Sequence, residues 1–307
     1  MSRLDDIEKR LNERLAAIDR KIGKAVERGG CDAPREPVDS HELNARAAVV
    51  GAGRVFVDYV QPSATEASQL FEYVRRSPVV QDNALYAQTM NSARFEYHAT
   101  PEYKDQDRVN ANAGLDKDGT PVIRLFGGAA RIGRIAALSI AAMERGGDAD
   151  APQRFLKTLT RPQCGYFTVA DAVQVVNDAG LAVAFSDDSV LTKAKTISAG
   201  LMLGILAHEA GHLCLGHSFS NVVYYETNLE VARNREREAD SFSSSVIATS
   251  PFGEQILAGT LLWHFVLASQ EEGAVESTHP LSRERLENIV RANRDLAKSL
   301  GIELAGA

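Results

Sequence analysis

Cysteine is scarce in this chain. Only Cys31, Cys164 and Cys214 occur in 307 residues, too few and too scattered for a disulfide framework or a paired CxxC zinc site. Long apolar runs are also missing: no stretch approaches the roughly 20 residues that a bilayer span requires. The best two, 196–207 and 256–269, run into His208-Glu209 and contain His264 respectively, and both read as buried helices. No integral membrane span is therefore expected. The first fifteen residues hold no apolar core and no small-residue cleavage site, so no secretory signal is expected. The expected location is cytoplasmic, which free thiols fit. Positive charge is in deficit, with 34 Lys and Arg against 41 Asp and Glu and a formal net charge of −7. A general nucleic-acid binder usually shows the opposite balance, so no nucleic-acid partner is expected. Apolar residues are plentiful at 44%, enough to bury a real core in one or two domains.

Three regions follow from the pattern along the chain. In residues 1–28, Leu4, Ile7, Leu11, Leu15, Ile18, Ile22 and Val26 recur at spacings of three and four and make one face of a helix apolar. Two readings stand side by side: a short coiled coil that makes a homo-oligomer, or an arm packed on its own domain. Residues 29–41, with Gly29, Gly30, Pro34 and Pro37, form a turn-rich linker. Residues 42–307 read as one domain interrupted by a mixed insertion at about 145–190. Helices are predicted over 41–59 and 66–76, the second opened by a capping box, Ser63-x-x-Glu66. Strands are predicted at 94–98 and 121–126, and a helix at 132–143. Long helices follow near 192–216, 228–249, 254–270 and 282–300. The fold class is α+β, dominated by helix, with a small antiparallel or mixed sheet.

The informative segment is His208-Glu209-Ala210-Gly211-His212. Residues four apart share a helical face, so both imidazoles can point at one ion. Glu209, on the adjacent face, can reach a water bound there as general base. This is the HExxH pattern of a zinc site. The bland alternative, two surface histidines, conflicts with the apolar run just upstream, because buried polar groups need partners. A catalytic zinc needs a third protein ligand. Cys214 faces the wrong side of the helix, and His217, five residues past His212, lies off the ligand face. A later helix carries Glu236 and Asp240 at i and i+4. Glu236 can ligate, and Asp240 can accept the second N–H of a ligand histidine. The alternative is a solvated, charged helix face.

Together these residues resemble the gluzincin metallopeptidases, and within them the HtpX/CAAX-prenyl-protease group. The likeness rests on HEAGH followed by Leu215-Gly216-His217, on Glu236-x-x-Ala239-Asp240, on Val109-Asn110-Ala111-Asn112-Ala113, and on Thr278-His279-Pro280 with Arg285. It implies a zinc endopeptidase acting on a peptide or protein substrate. In that reading Zn2+ is held by His208, His212 and Glu236, with Glu209 as base and Asp240 behind a ligand. His279 and Arg285 would stand near the cleft, His279 at the oxyanion or at the fourth metal position. The alternative for His279 is a helix N-terminal residue. The stretch Val122, Ile123, Arg124 and Leu125 is expected to be the edge strand that pairs with an extended substrate, with Gly127-Gly128 admitting its backbone. Cys164 in the insertion can be read as a thiol that occupies the open metal position and holds the enzyme latent, or as a packed loop cysteine. Two other functions stay open. One is a regulatory protease of the ImmA/IrrE type that cleaves a repressor. The other is a zinc-stabilised adaptor without catalysis.

Overall fold

A computed structural model describes residues 53–100, 102–159, 165–217, 229–268 and 282–302. The N-terminal helix and linker, Cys164 and His279 lie outside these residues. The chain opens with α1 (Gly53–Val60), α2 (Ala64–Arg75), α3 (Pro78–Gln81) and α4 (Ala84–Ser92). The Ser63 side chain caps α2 by accepting from Glu66 N at 3.1 Å. Glu66 itself turns away to form an ion pair with Arg134. Three strands follow: β1 (Arg94–His98), β2 (Ala111–Leu115) and β3 (Pro121–Phe126). Then come α5 (Gly127–Glu144), α6 (Ala151–Thr158), α7 (Val169–Asp178), a 3-10 turn (Ala182–Ser186), α8 (Asp188–Cys214), α9 (Leu229–Thr249), α10 (Gly253–Ala268), α11 (Ser282–Ala292) and α12 (Arg294–Ser299). The class is α+β and helix-dominated.

The sheet is mixed, in the order β1-β3-β2. β1 runs parallel to β3 with Arg94 opposite Val122, and β2 runs antiparallel with Ala111 opposite Leu125. The hairpin between β2 and β3 turns at Gly119, whose φ of 82° favours glycine. β3 is therefore the central strand, which corrects the edge-strand expectation for Val122, Ile123, Arg124 and Leu125. Both of its hydrogen-bonding sides are taken, and Val122, Ile123, Leu125 and Phe126 are buried. A near-continuous apolar run fits a central strand better than an edge. The role expected for Gly127-Gly128 is corrected as well. A methyl on either residue would overlap backbone carbonyls of residues 106–108. The backbone these glycines admit is the chain's own.

α8 is the axis of the molecule. Its 27 residues extend about 40 Å, and α5, α9 and α10 pack around it. Among the described residues it alone is long and apolar enough to cross a membrane, yet 72% of its apolar window is buried inside the protein. Two clusters share its length. The first joins Val190, Leu191, Ala194 and Ile197 to α1, α5, α6 and α7. The second joins Leu206, Ala210 and Leu213 to the sheet, α9 and α10. The described part of the insertion, with Phe155, Phe167 and Val176, belongs to the first cluster. It sits where α8 begins, and Ala194 to His208 is fourteen residues, about 20 Å along a helix axis.

Candidate active site

Small residues set up the site. Gly211 lies where α8 meets α9, and a methyl there would meet Ala239 Cα at 3.1 Å and Phe242 Cβ at 3.1 Å. Glycine in HEAGH and alanine in EREAD thus let the two helices approach at one level. Each helix then presents an i, i+4 pair to the other: His208 and His212 from α8, Glu236 and Asp240 from α9.

The pairs meet closely. His208 Nε2 is 3.1 Å from His212 Nε2. The Glu236 carboxylate spans both, with Oε2 at 3.2 Å from His208 Nε2 and Oε1 at 3.4 Å from His212 Nε2. Among the described residues this is the one group of three that could hold a metal ion. A tetrahedral zinc with bonds of about 2.0–2.1 Å has ligand–ligand edges of about 3.3 Å. The three observed separations lie close to that value. The donor set, two imidazole nitrogens and a carboxylate oxygen, suits zinc. Glu209, next to His208 in sequence, is buried at 8% exposure.

Behind the cluster, His208 Nδ1 lies 2.9 Å from Asp240 Oδ1. Asp240 is gripped by Arg285, whose Nε donates to Oδ2 at 2.9 Å and whose Nη2 donates to Oδ1 at 2.7 Å. Arg285 Nη1 also stands 3.6 Å from Glu236 Oε2. Arg285 enters from the first turns of α11, which is tied to α9 by Arg237 Nε and Glu284 Oε1 at 3.0 Å. The structure therefore puts Arg285 beneath the ligands as their brace. Burial works against each of these charges, and the neighbours decide the outcome. Burial would raise the Asp240 pKa, but Arg285 and His208 hold it well below the usual carboxylate range. Burial and Arg285 oppose a charged His208, yet hydrogen bonds to Asp240 and Glu236 lift its pKa to about 9. Burial opposes the Arg285 charge too, but Asp240, Glu236 and Glu209 raise its pKa.

Two histidines go beyond the sequence reading. His217 was expected off the ligand face, and it does lie off it, but no unbroken helix carries it there. α8 instead ends at Cys214, and Gly216 turns the chain back with φ 74°, the common glycine ending of a helix. His217 Nδ1 consequently lies 3.0 Å from His212 Nδ1, and its Nε2 lies 2.8 Å from Glu238 Oε2. Burial and the neighbouring His212 lower its pKa. His264 lies on α10, in the apolar run expected to be a buried helix. It is buried, but its Nδ1 has no hydrogen-bond partner among the described residues. Burial first, then Arg285, press its pKa down to about 3. The Cys214 thiol is buried, which pushes its pKa up to about 12 and leaves it inert.

A family model described as Peptidase U49 matches residues 182–299. The matched span runs from the 3-10 turn through α12, so it contains every residue of the cluster and its braces. No curated protein and no solved structure matches the chain. The family match supports a peptidase in general, without supporting the narrower HtpX/CAAX-prenyl-protease likeness.

Proposed function

We propose that the protein is a zinc-dependent endopeptidase. The observation that carries this reading is the convergence of His208 Nε2, His212 Nε2 and the Glu236 carboxylate at 3.1–3.4 Å, with the Asp240 carboxylate on the other nitrogen of His208. A carboxylate on the far side of a ligand imidazole fixes its tautomer and raises its basicity. Zinc, when bound, lowers the pKa of its water to about 7 and polarises the scissile carbonyl. Glu209 accepts the proton of the attacking water and delivers it to the leaving amine nitrogen. The buried position of Glu209 beside a ligand suits that shuttle, and an adaptor without catalysis would have no use for it. Asp240 and Arg285 keep the ligand set assembled.

β2 takes the substrate role first expected of β3. Its outer side is unpaired among the described strands, and it packs against α8. An extended peptide adds to it as a further strand. Among zinc peptidases, the succession of the NANA stretch, HEAGH and EREAD is similar to the HtpX/CAAX-prenyl-protease group.

The test is Glu209→Gln, measured for zinc content and for cleavage of an unstructured protein such as casein. Zinc should stay at the wild-type ratio. Cleavage should fall by about 10²–10⁴, the usual worth of a positioned acid–base group. Wild-type cleavage by the variant would remove Glu209 as the base, and zinc-free wild-type protein would remove the metallopeptidase reading.

A further inference from the structure

His212 has a support of its own, different in kind from that of His208. The ligand nitrogen of His212 faces Glu236, and its opposite nitrogen, Nδ1, faces His217 Nδ1 at 3.0 Å. The rings meet edge-on, with centroids 5.2 Å apart and planes at 66°. His217 is thus on the side of His212 away from the cluster and is no candidate for a fourth ligand. His217 Nε2 is anchored in turn on Glu238 Oε2 at 2.8 Å. The His217 carbonyl accepts from Arg235 Nη1 at 3.4 Å, which helps fix the turn.

We infer that His217, backed by Glu238, is a positioning residue that holds His212 in the tautomer and orientation required to bind zinc. The inference rests on the metallopeptidase reading, and proton bookkeeping carries it. A ligand nitrogen must offer a lone pair, so neutral His212 carries its proton on Nδ1. That N–H donates to His217 Nδ1, which must then be an acceptor. The single proton of neutral His217 falls on Nε2, where it donates to the Glu238 carboxylate. Each of the two hydrogen bonds receives one donor and one acceptor, and the lone pair of His212 Nε2 stays free for the metal. A hydrogen bond of this kind orients the ring and strengthens the ligand.

The two supports differ in depth. Asp240 is 5% exposed and braced by Arg285, whereas the Glu238 side chain is 61% exposed. The support of His208 is enclosed, and that of His212 runs out to the surface through an imidazole. Glu238, being surface-exposed, is expected to matter less than His217.

The test is zinc affinity by chelator competition, with the visible spectrum of the cobalt(II)-loaded protein as a second readout. His217→Leu keeps bulk and removes the acceptor, and should weaken zinc binding about 10-fold or more, the usual loss for such a partner. His217→Asn puts a carbonyl oxygen near the position of Nδ1 and should recover affinity to within about threefold of wild type. The cobalt spectrum should shift in the leucine variant and return in the asparagine variant. Equal affinity in His217→Leu and wild type overturns the inference, and so does equal loss in both variants, which would mark a packing role. Both outcomes presuppose wild-type protein that binds zinc. Wild type without zinc defeats the metallopeptidase reading itself, so the two failures are distinguishable. If His217→Leu fails to fold, His217→Phe answers the same question: it keeps a ring and also lacks the acceptor that faces His212 Nδ1, so an unaltered zinc affinity there overturns the inference.

Discussion

At the scale of single residues the site is organised by one buried ion pair. Arg285 and Asp240 are 7% and 5% exposed and joined by two parallel hydrogen bonds. Removing one partner of such a pair leaves an uncompensated buried charge, which costs about 3–5 kcal/mol. Arg285→Leu should therefore lose most of that amount in urea unfolding of the zinc-loaded protein. Arg285→Lys keeps the charge without the planar fork and should fall between. A leucine variant within about 1 kcal/mol of wild type would show that Arg285 is not the counter-charge on which Asp240 depends. The sequence made the participants legible but not their arrangement. HExxH spacing puts two imidazoles on one face and Glu236-x-x-x-Asp240 does the same for two acids, so both pairs can be read from helical periodicity alone. Arg285 could be read only by resemblance, because its contact with Asp240 spans 45 residues and no local pattern encodes it. His217 does stand off the ligand face, as read, but its contact with the far nitrogen of His212 was not legible, because helical spacing says nothing of the turn that Gly216 makes.

At the scale of elements the site depends on how closely helices cross. α8 and α10 touch backbone to backbone. A methyl on Gly200 would overlap the Gln255 carbonyl, and one on Gly259 would overlap the backbone of Gly200 and Leu201. Two effects oppose each other in Gly259→Ala. Alanine is the better helix former by about 1 kcal/mol. Overpacking a close contact costs about 1–3 kcal/mol, and here the obstacle is main chain, which cannot rotate aside as a side chain can. The clash should win, giving a net loss of up to about 2 kcal/mol in chemical denaturation. A Gly259→Ala protein more stable than wild type would refute the close crossing. The strands show what periodicity can and cannot settle. Both β1 and β3 are legible from their β-branched and aromatic residues, but their order in the sheet is not. β2, with the sequence Ala-Asn-Ala-Gly-Leu, has little strand propensity of its own and exists because β3 and α8 pair and pack with it. In the insertion, α6 begins with Pro152 in its first turn and α7 with a capping box of Thr168 and Asp171. Proline and aspartate there are helix starts, although the same residues in sequence read as loop punctuation.

At the scale of the whole molecule, two buried histidines impose opposite pH dependences on stability. His264 has its pKa pressed down to about 3: burial acts first, Arg285 and His208 add to it, and Asp240 and Glu236 oppose it. An unfolded chain titrates the same group near 6.5. Between those values the unfolded state binds more protons, so stability falls as pH drops below about 6.5. His208 behaves in the opposite sense. Its folded pKa of about 9 lies above the unfolded value, so its contribution is complete below about 6.5 and is lost as pH rises through 9. Stability of zinc-stripped protein should thus peak near pH 6.5; each proton adds at most about 1.4 kcal/mol per pH unit, and His217, whose pKa is also lowered, adds to the acid limb. In the proposed metallopeptidase reading, zinc would change the upper limb only. It would compete with the proton that His208 otherwise holds, so raising the pH would favour the bound state by removing that competitor. Urea midpoints from pH 5 to 9, with chelator and with zinc, should show the decline above 6.5 in the stripped protein and its loss or reversal in the loaded one. His264→Leu should make the acid limb shallower, leaving the share of His217, and leave the alkaline limb unchanged. A stripped protein equally stable from pH 6.5 to 9 would mean that His208 is not held by Asp240 and Glu236 in solution, and an acid limb equally steep in His264→Leu and wild type would assign it to other groups.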